Sequence, residues 1–352
     1  MRDFLLAIKV LGSFFFVLVL FGCGGGSSTP SNSPSDKVDS SHNEQGSNEQ
    51  EGTEVAPQPA IVGLRIIPTS LESVGYATEE VVGRLFMYEV VADLDNGGIA
   101  DVTPWVTWQI IQQTCAEDCV LPDMGSNRLR ANDVGTVEVT ASFGGLTTTV
   151  ISLEVIGKLG LCGGEIDDNG TNLNECLKII EGKLGNADGK WFTSPPTRSV
   201  VDLLGYFEVN KGNSSGRSFA SFYTTDATGF LTPPNTEYAL MRYDGEDWEQ
   251  DTGKGGQYAR YCADLGEMRF NGRDNWRTAE SSELQDLFWG EERDLYNRYY
   301  WPANSVYIST TRHLNWPEIV MLSIYPLLNK RDEAAVSEVW RNHYPSCVSE
   351  LL

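Results

Sequence analysis

Gln257-Tyr258-Ala259-Arg260-Tyr261-Cys262-Ala263-Asp264-Leu265 places Tyr258, Tyr261, Cys262 and Leu265 at i, i+3, i+4 and i+7. That spacing is one face of a helix, so the stretch predicts an amphipathic helix whose buried stripe carries a cysteine. A second short helix is predicted just downstream, where Ser282-x-x-Gln285 has the capping-box pattern and Leu284, Leu287 and Phe288 share a face. Strand-like runs follow at Ser305–Thr310, Ile319–Tyr325 and Tyr344–Ser349, the last around Cys347. Two helices ahead of a cluster of strands predict an α+β arrangement.

Upstream, the stretch from Lys158 opens on Cys162-Gly163-Gly164-Glu165-Ile166-Asp167-Asp168-Asn169-Gly170, then Glu175-Cys176. Asp167, Asp168, Asn169, Asn172 and Asn174 carry the oxygen-rich side chains that calcium prefers. Their spacing departs from the twelve-residue calcium loop, and Asx residues with Gly are ordinary turn formers. A disulfide-closed polar turn is therefore favoured over a calcium site. Strands are predicted at Phe219–Tyr223 and Tyr238–Tyr243.

Earlier still, short alternating runs recur between turn residues: Gly63–Pro68, Phe86–Ala92, Val106–Ile110, Val137–Ala141 and Thr147–Val155, with Asp95-Asn96-Gly97-Gly98 as a turn. Evenly spaced strands of this kind predict an all-β sandwich. Cys115 and Cys119 could form half a zinc site or a loop-stapling disulfide. With no second pair or His in reach, the disulfide is favoured. Trp108 reads as a core residue.

The first 23 residues hold Arg2 and Lys9, an apolar run Val10–Phe21, and Gly22-Cys23. About a dozen apolar residues fall short of the roughly 20 needed to span a bilayer as a helix, which favours a secretory signal over a transmembrane anchor. Residues 23–59 are Gly, Ser, Asn, Gln, Glu and Pro with almost nothing apolar, a composition that predicts a disordered linker.

The formal net charge is -23, from 26 basic and 49 acidic residues. Such a surface repels phosphate backbones, so nucleic acid is not an expected partner. Six cysteines beyond Cys23, namely Cys115, Cys119, Cys162, Cys176, Cys262 and Cys347, read as three disulfides in an exported chain.

Three resemblances bear on these segments. Leu20-Phe21-Gly22-Cys23 resembles the lipobox of bacterial lipoproteins, which implies a signal peptide at 1–22, lipidation of Cys23 and a membrane held through that lipid. In such proteins an Asp after the Cys marks inner-membrane retention; Gly24 stands here, which implies the outer membrane, and the cell surface is the expected side for the body of the protein. Ile67-Pro68, Ala100-Asp101-Val102-Thr103, Val106-Thr107-Trp108 and Gly135–Ala141 with Phe143-Gly144-Gly145 resemble bacterial Ig-like domains of the second group, implying a spacer over 60–157.

Tyr258, Tyr261-Cys262, Asn275-Trp276-Arg277, Ser282–Phe288, Tyr299-Tyr300-Trp301, Val306–Thr311 and Tyr344 with Cys347-Val348 resemble the C-type-lectin-like tip of intimin and invasin. This implies a lectin-like domain over 158–352, with its core at roughly 238–352, and a Cys262–Cys347 disulfide. The Glu-Pro-Asn or Gln-Pro-Asp motif of sugar-binding animal lectins is lacking; Trp316-Pro317-Glu318 is the nearest approach and has another order. Calcium-dependent sugar binding is therefore not expected, and protein recognition is favoured.

The expected whole is a multidomain protein, an Ig-like sandwich followed by an α+β lectin-like head. It is expected to act as an outer-membrane adhesin that binds a protein or glycan ligand on a cell surface. The alternative is a periplasm-facing structural or assembly lipoprotein that docks another envelope protein. No catalysis, metal or cofactor is expected. Glu280, Glu283, Asp286, Glu291 and Glu292 cluster as a glycosidase pair would, but Glu283 and Asp286 beside an apolar stripe read as a solvated face. His313 and His343 sit in dissimilar contexts. For a binding surface, the segments 296–304 and 312–318 point to Tyr299, Trp301, His313, Asn315 and Trp316, with core packing the favoured reading for Tyr300 and Trp301. Replacing Asn315 and Trp316 by Ala is expected to weaken attachment without lowering the melting temperature.

Overall fold

Strand Gly135–Phe143 is the seed of the N-terminal half. Its alternation sends Val137, Val139 and Ala141 inward, each fully buried. On one side it pairs antiparallel with Ile151–Gly157, and on the other with Thr107–Gln112. Glu79–Val81 adds to Ile151–Gly157 in parallel. A second sheet runs Ile61–Pro68, Tyr88–Leu94, Ile99–Asp101, all antiparallel, with the Asn96 side chain accepting from Gly98 N to close the turn. Leu64, Val90 and Ala92 of this second sheet, with Val102 just beyond it, pack with Ala141 of the first, so the two sheets share a core. A smaller sheet joins Leu85–Phe86, Leu129–Ala131 and Val120–Pro122.

The computed structural model describes residues 59–68, 79–123, 128–211, 216–227, 232–242, 256–292, 294–303, 305–313, 316–323, 336–338 and 342–351, with backbone alone from 312 to 338. The signal at 1–22, Cys23 and the linker up to residue 58 lie outside them. Residues 57–352 form one compact unit, mostly β with several sheets and four α-helices among the described residues.

In the loop after Thr107–Gln112, a disulfide joins Cys115 to Cys119. It sits against Gly135, whose φ is +146°; a Cβ there would stand 2.6 Å from Cys119 Sγ, so only glycine fits. Trp108 is half-buried and packs against both cores, tilted on Tyr88 at 6.3 Å.

The C-terminal half is organised by a four-stranded antiparallel sheet in the order Ile179–Glu181, Trp191–Thr193, Cys347–Ser349, Arg277–Thr278. Helix α1 is Arg198–Leu203, α2 Gln257–Glu267, α3 Ser281–Gly290 and α4 Leu295–Tyr299. The predicted stripe of α2 is its buried face: Tyr258, Tyr261, Cys262 and Leu265 are all fully buried. Cys262 is bonded to Cys347, tying α2 to the sheet across 85 residues. In the chain-entropy description such a loop is worth about 4 to 5 kcal/mol. Tyr258 adds a polar tie, its hydroxyl donating to Ser346 O at 2.5 Å and accepting from Ala279 N at 2.8 Å.

Helix α3 buries Leu284, Leu287 and Phe288, but it starts earlier than the Ser282 capping box predicts. Glu280 is the N-cap and Glu283 the reciprocal partner, with Glu280 N donating to Glu283 Oε2 at 2.8 Å. A three-stranded antiparallel sheet follows, Tyr307–His313, Trp316–Ser323 and Val336–Glu338.

The halves are joined tightly. Val81 belongs to the apolar core that contains Leu204, Leu265 and Met268. Gly83, at φ +97°, lies so close to Met268 that a Cβ would come within 2.5 Å of its carbonyl oxygen. Arg84 is buried, and donates to Leu204 O at 3.0 Å and to Asp264 Oδ2 at 2.7 Å. Arg130 donates to both Gly83 O, at 2.7 Å, and Glu267 O, at 3.1 Å.

Candidate functional site

Four segments distant in sequence form an open cleft of about 430 Å³ in the C-terminal half. One wall is the polar loop 171–174, held inside the ring closed by the Cys162–Cys176 disulfide. Within it Asn172 Oδ1 accepts from Asn174 N at 3.1 Å, an Asx turn, and Leu173 O accepts from Thr197 Oγ1 at 3.3 Å. The floor is the first turn of α1, with Thr197, Arg198 and Ser199. The opposite wall is the turn Pro233-Pro234-Asn235-Thr236 and Glu237. Buried Thr225 pins that turn, its hydroxyl donating to Pro233 O at 2.6 Å and accepting from Thr236 N at 2.8 Å. Tyr300 completes the lining, stacked on Tyr296 with centroids 5.5 Å apart and planes 24° off parallel.

Two non-glycine residues with left-handed backbone line this cleft, Asn235 at φ +52° and Tyr300 at φ +58°. That conformation is uncommon outside glycine and costs free energy, which the surrounding packing must offset. Among the described residues the cleft holds one carboxylate, Glu237, in a two-point ion pair with Arg198. Its hydrogen bond to Arg198 holds the Glu237 carboxyl below the usual glutamate range. The Arg198 guanidinium also lies 3.8 Å over the Phe222 ring.

The oxygen cluster weighed for calcium is filled from within the chain. Buried Lys178 donates through Nζ to Asp168 O at 2.9 Å, Asp168 Oδ2 at 2.8 Å and Gly170 O at 2.8 Å. Although burial works the other way, the lysine keeps the Asp168 carboxyl below its ordinary value. Asp167 is engaged by Glu181 N at 3.0 Å and Lys183 Nζ at 3.0 Å. Among the described residues, no group of three or more His, Cys, Asp or Glu is placed to hold a metal ion.

Of the binding residues expected from sequence, Tyr299 and Trp301 are core. Trp301 is 1 % exposed, its indole N–H donating to the Tyr307 hydroxyl within a cluster that includes Tyr238 and Tyr344. Tyr299 is buried, its hydroxyl donating to Glu291 Oε2 at 2.6 Å. Large aromatic groups adjoining an unfilled sheet face are drawn inward, where they remove the most apolar area from water. Tyr300, read as core, is half-buried and lines the cleft instead. Asn315 lies outside the described residues, as do the side chains of His313 and Trp316.

Of the acidic cluster on and around α3, Glu280 and Glu292 are exposed and Asp286 is half-buried, but Glu283 and Glu291 are buried rather than solvated. Glu283 is 2 % exposed, bound by Arg277 at 2.6 Å and Lys190 at 2.7 Å. Asp286 accepts from Asn186 N at 2.6 Å, and Glu291 is buried between Lys183, Arg298 and Tyr299. His343 is half-buried and exchanges backbone hydrogen bonds with Met241. Sequence alone gave no periodic signal for the cleft; the polar turn holding Asn172 and Asn174 was read as a turn, and the 233–237 wall was not singled out.

Among the described residues, no helix is long and apolar enough to cross a membrane. No protein-family model matches the chain, and no curated protein matches it. It is similar to the solved structure of Yersinia pseudotuberculosis adhesin InvE at 12% identity, covering 82% of this chain and 71% of that one with a TM-score of 0.29, an overlap that assigns neither fold nor activity.

Proposed function

We propose that this chain is a lipid-anchored surface adhesin of the outer membrane. In this reading a bacterial Ig-like spacer of the second group, residues 60–157, carries a C-type-lectin-like head, residues 158–352, that binds rather than catalyses. The observation that carries it is the preformed polar cleft of the head. Its one carboxylate among the described residues is already paired with Arg198, whereas acid–base hydrolysis of a glycoside takes two carboxyl groups with separated pKa values. The lipobox-like Gly22-Cys23 supports the anchor, and the tight junction at Arg84 and Gly83 supports a spacer that presents its head in a set direction.

The test is protease shaving of intact cells that express the full chain, alongside an adherence assay. Removal of the head by external protease, with loss of adherence, is the expected result. A head that stays protected on intact cells would overturn the surface reading in favour of a periplasm-facing assembly protein. Mass spectrometry of Cys23 checks the lipid.

A further inference from the structure

We infer that the cleft between the 171–174 loop, α1 and the 233–237 turn is a calcium-independent binding site for neutral oligosaccharides. This deepens the adhesin reading and rests on it.

The chemistry of the lining points to a hydroxyl-rich, uncharged ligand. Asn172, Asn174 and Asn235 are exposed, and with half-buried Ser199 they offer amide and hydroxyl groups, each able to donate and accept. A sugar ring, with hydroxyls that do both, matches such a set; a hydrocarbon or a lone ion does not. Tyr300 supplies an aromatic wall, and the stack on Tyr296 holds it in place. Pyranose rings present a face of C–H groups to an aromatic face, as apolar area does elsewhere. The volume, about 430 Å³, falls in the range of small-ligand clefts.

Charge selects against acidic sugars. The one cation among the described residues of the lining, Arg198, is engaged by Glu237, and the chain as a whole carries -23. An incoming sialic acid or uronate would be repelled at long range and would have to displace Glu237 at short range. No divalent ion is required either, because the Lys178 ammonium already cross-links Asp168 and Gly170 beside the 171–174 wall. Preorganisation comes from the Cys162–Cys176 disulfide, that lysine and the Thr225 hydroxyl, so a ligand has little loop ordering left to induce.

Two substitutions remove ligand chemistry while keeping the backbone. Asn235→Gly deletes the amide at a left-handed position where glycine is at ease, and Tyr300→Asn removes the aromatic face at another, where Asn is tolerated. The purified full chain in detergent is applied to an array of neutral oligosaccharides with their sialylated counterparts, with and without EDTA. Affinities follow by calorimetry. Neutral glycans are expected to bind, EDTA to change nothing, and sialylation of the recognised residue to weaken binding. Asn235→Gly is expected to lose about three- to tenfold and Tyr300→Asn about tenfold, with melting temperatures held. Cells that adhere while the array stays silent for neutral glycans would overturn the saccharide assignment and leave the adhesin reading standing. So would binding abolished by EDTA, binding unaffected by both variants, or a matrix protein captured in an Asn235-dependent way. Loss of adherence by the wild type itself would remove the adhesin reading and this inference with it.

Discussion

Arg84 and Asp264 stand 180 residues apart in the chain, and their side chains meet at 2.7 Å with Arg84 1 % exposed. Asp264 Oδ2 also accepts from the Tyr206 hydroxyl at 3.0 Å, and Glu80 approaches Arg84 Nε at 4.0 Å. Removing one partner of a buried pair leaves the other charge without compensation, which costs more than the pair itself contributes. Arg84→Ala is therefore expected to destabilise the protein by about 3 to 5 kcal/mol in chemical denaturation. A loss under 1 kcal/mol would mean that water reaches this junction.

Gly83→Ala tests the same junction from the backbone side. The new Cβ would meet Met268 O at 2.5 Å in a left-handed conformation, so a cost of about 1 to 3 kcal/mol is expected from strain alone. Wild-type stability for this variant, read by thermal melting, would show that the two halves can slide apart freely.

The three disulfides should differ in weight. Breaking Cys262–Cys347 by a double Ser substitution opens a loop of 85 residues and is expected to cost about 4 to 5 kcal/mol; breaking Cys115–Cys119, separated by 4, about 2 kcal/mol. Denaturation midpoints in that order check the assignment, and the reverse order contradicts it.

Two buried glutamates should move stability with pH in opposite directions. Burial alone would raise the Glu283 pKa, but hydrogen bonds from Arg277, Glu280 N and Lys190 hold it below the ordinary value. Its contribution is present above the unfolded value, about 4.3, and is lost as pH falls through the lower folded one. Glu283→Gln is expected to cost about 2 kcal/mol at pH 7 and to flatten the acid limb of the stability curve. Burial raises the Glu80 pKa in spite of Arg217 and Arg84. Its contribution is full below the unfolded value and is lost as pH rises through the folded one, so Glu80→Gln should match the wild type near pH 4 and exceed it near pH 7. Parallel pH curves for wild type and both variants would refute this.

Trp301→Ala should behave as a core lesion, costing about 3 to 5 kcal/mol. Any loss of adherence should track the folded fraction, measured by circular dichroism on the same sample.

The stripe of α2 was legible because four residues repeat at helical spacing, and strand Gly135–Phe143 because Val137, Val139 and Ala141 alternate. Both signals are local. The start of α3 was misplaced by two residues, since Ser282 and Glu280 each stand three before a side chain able to reciprocate, and only the backbone decides between them. Tyr299 passed for a surface anchor, and Trp301 stayed among the candidates although core packing was favoured for it, because an aromatic run reads the same whether it faces a ligand or a sheet. The cleft drawn from residues 171–174, 197–199, 233–237 and 300 depends on contacts between separate segments. No window along the chain contains them.

Cys347–Ser349 occupies a middle position in its sheet, hydrogen-bonded to Trp191–Thr193 on one side and Arg277–Thr278 on the other. A chain threading through a pore from its N-terminus therefore cannot finish this sheet, or oxidise Cys262 with its native partner, until residue 349 has emerged. Such dependence on distant pairing makes folding slow and late. Until that moment Cys262 has no native partner, so the order in which the chain emerges also sets when this cross-link can close.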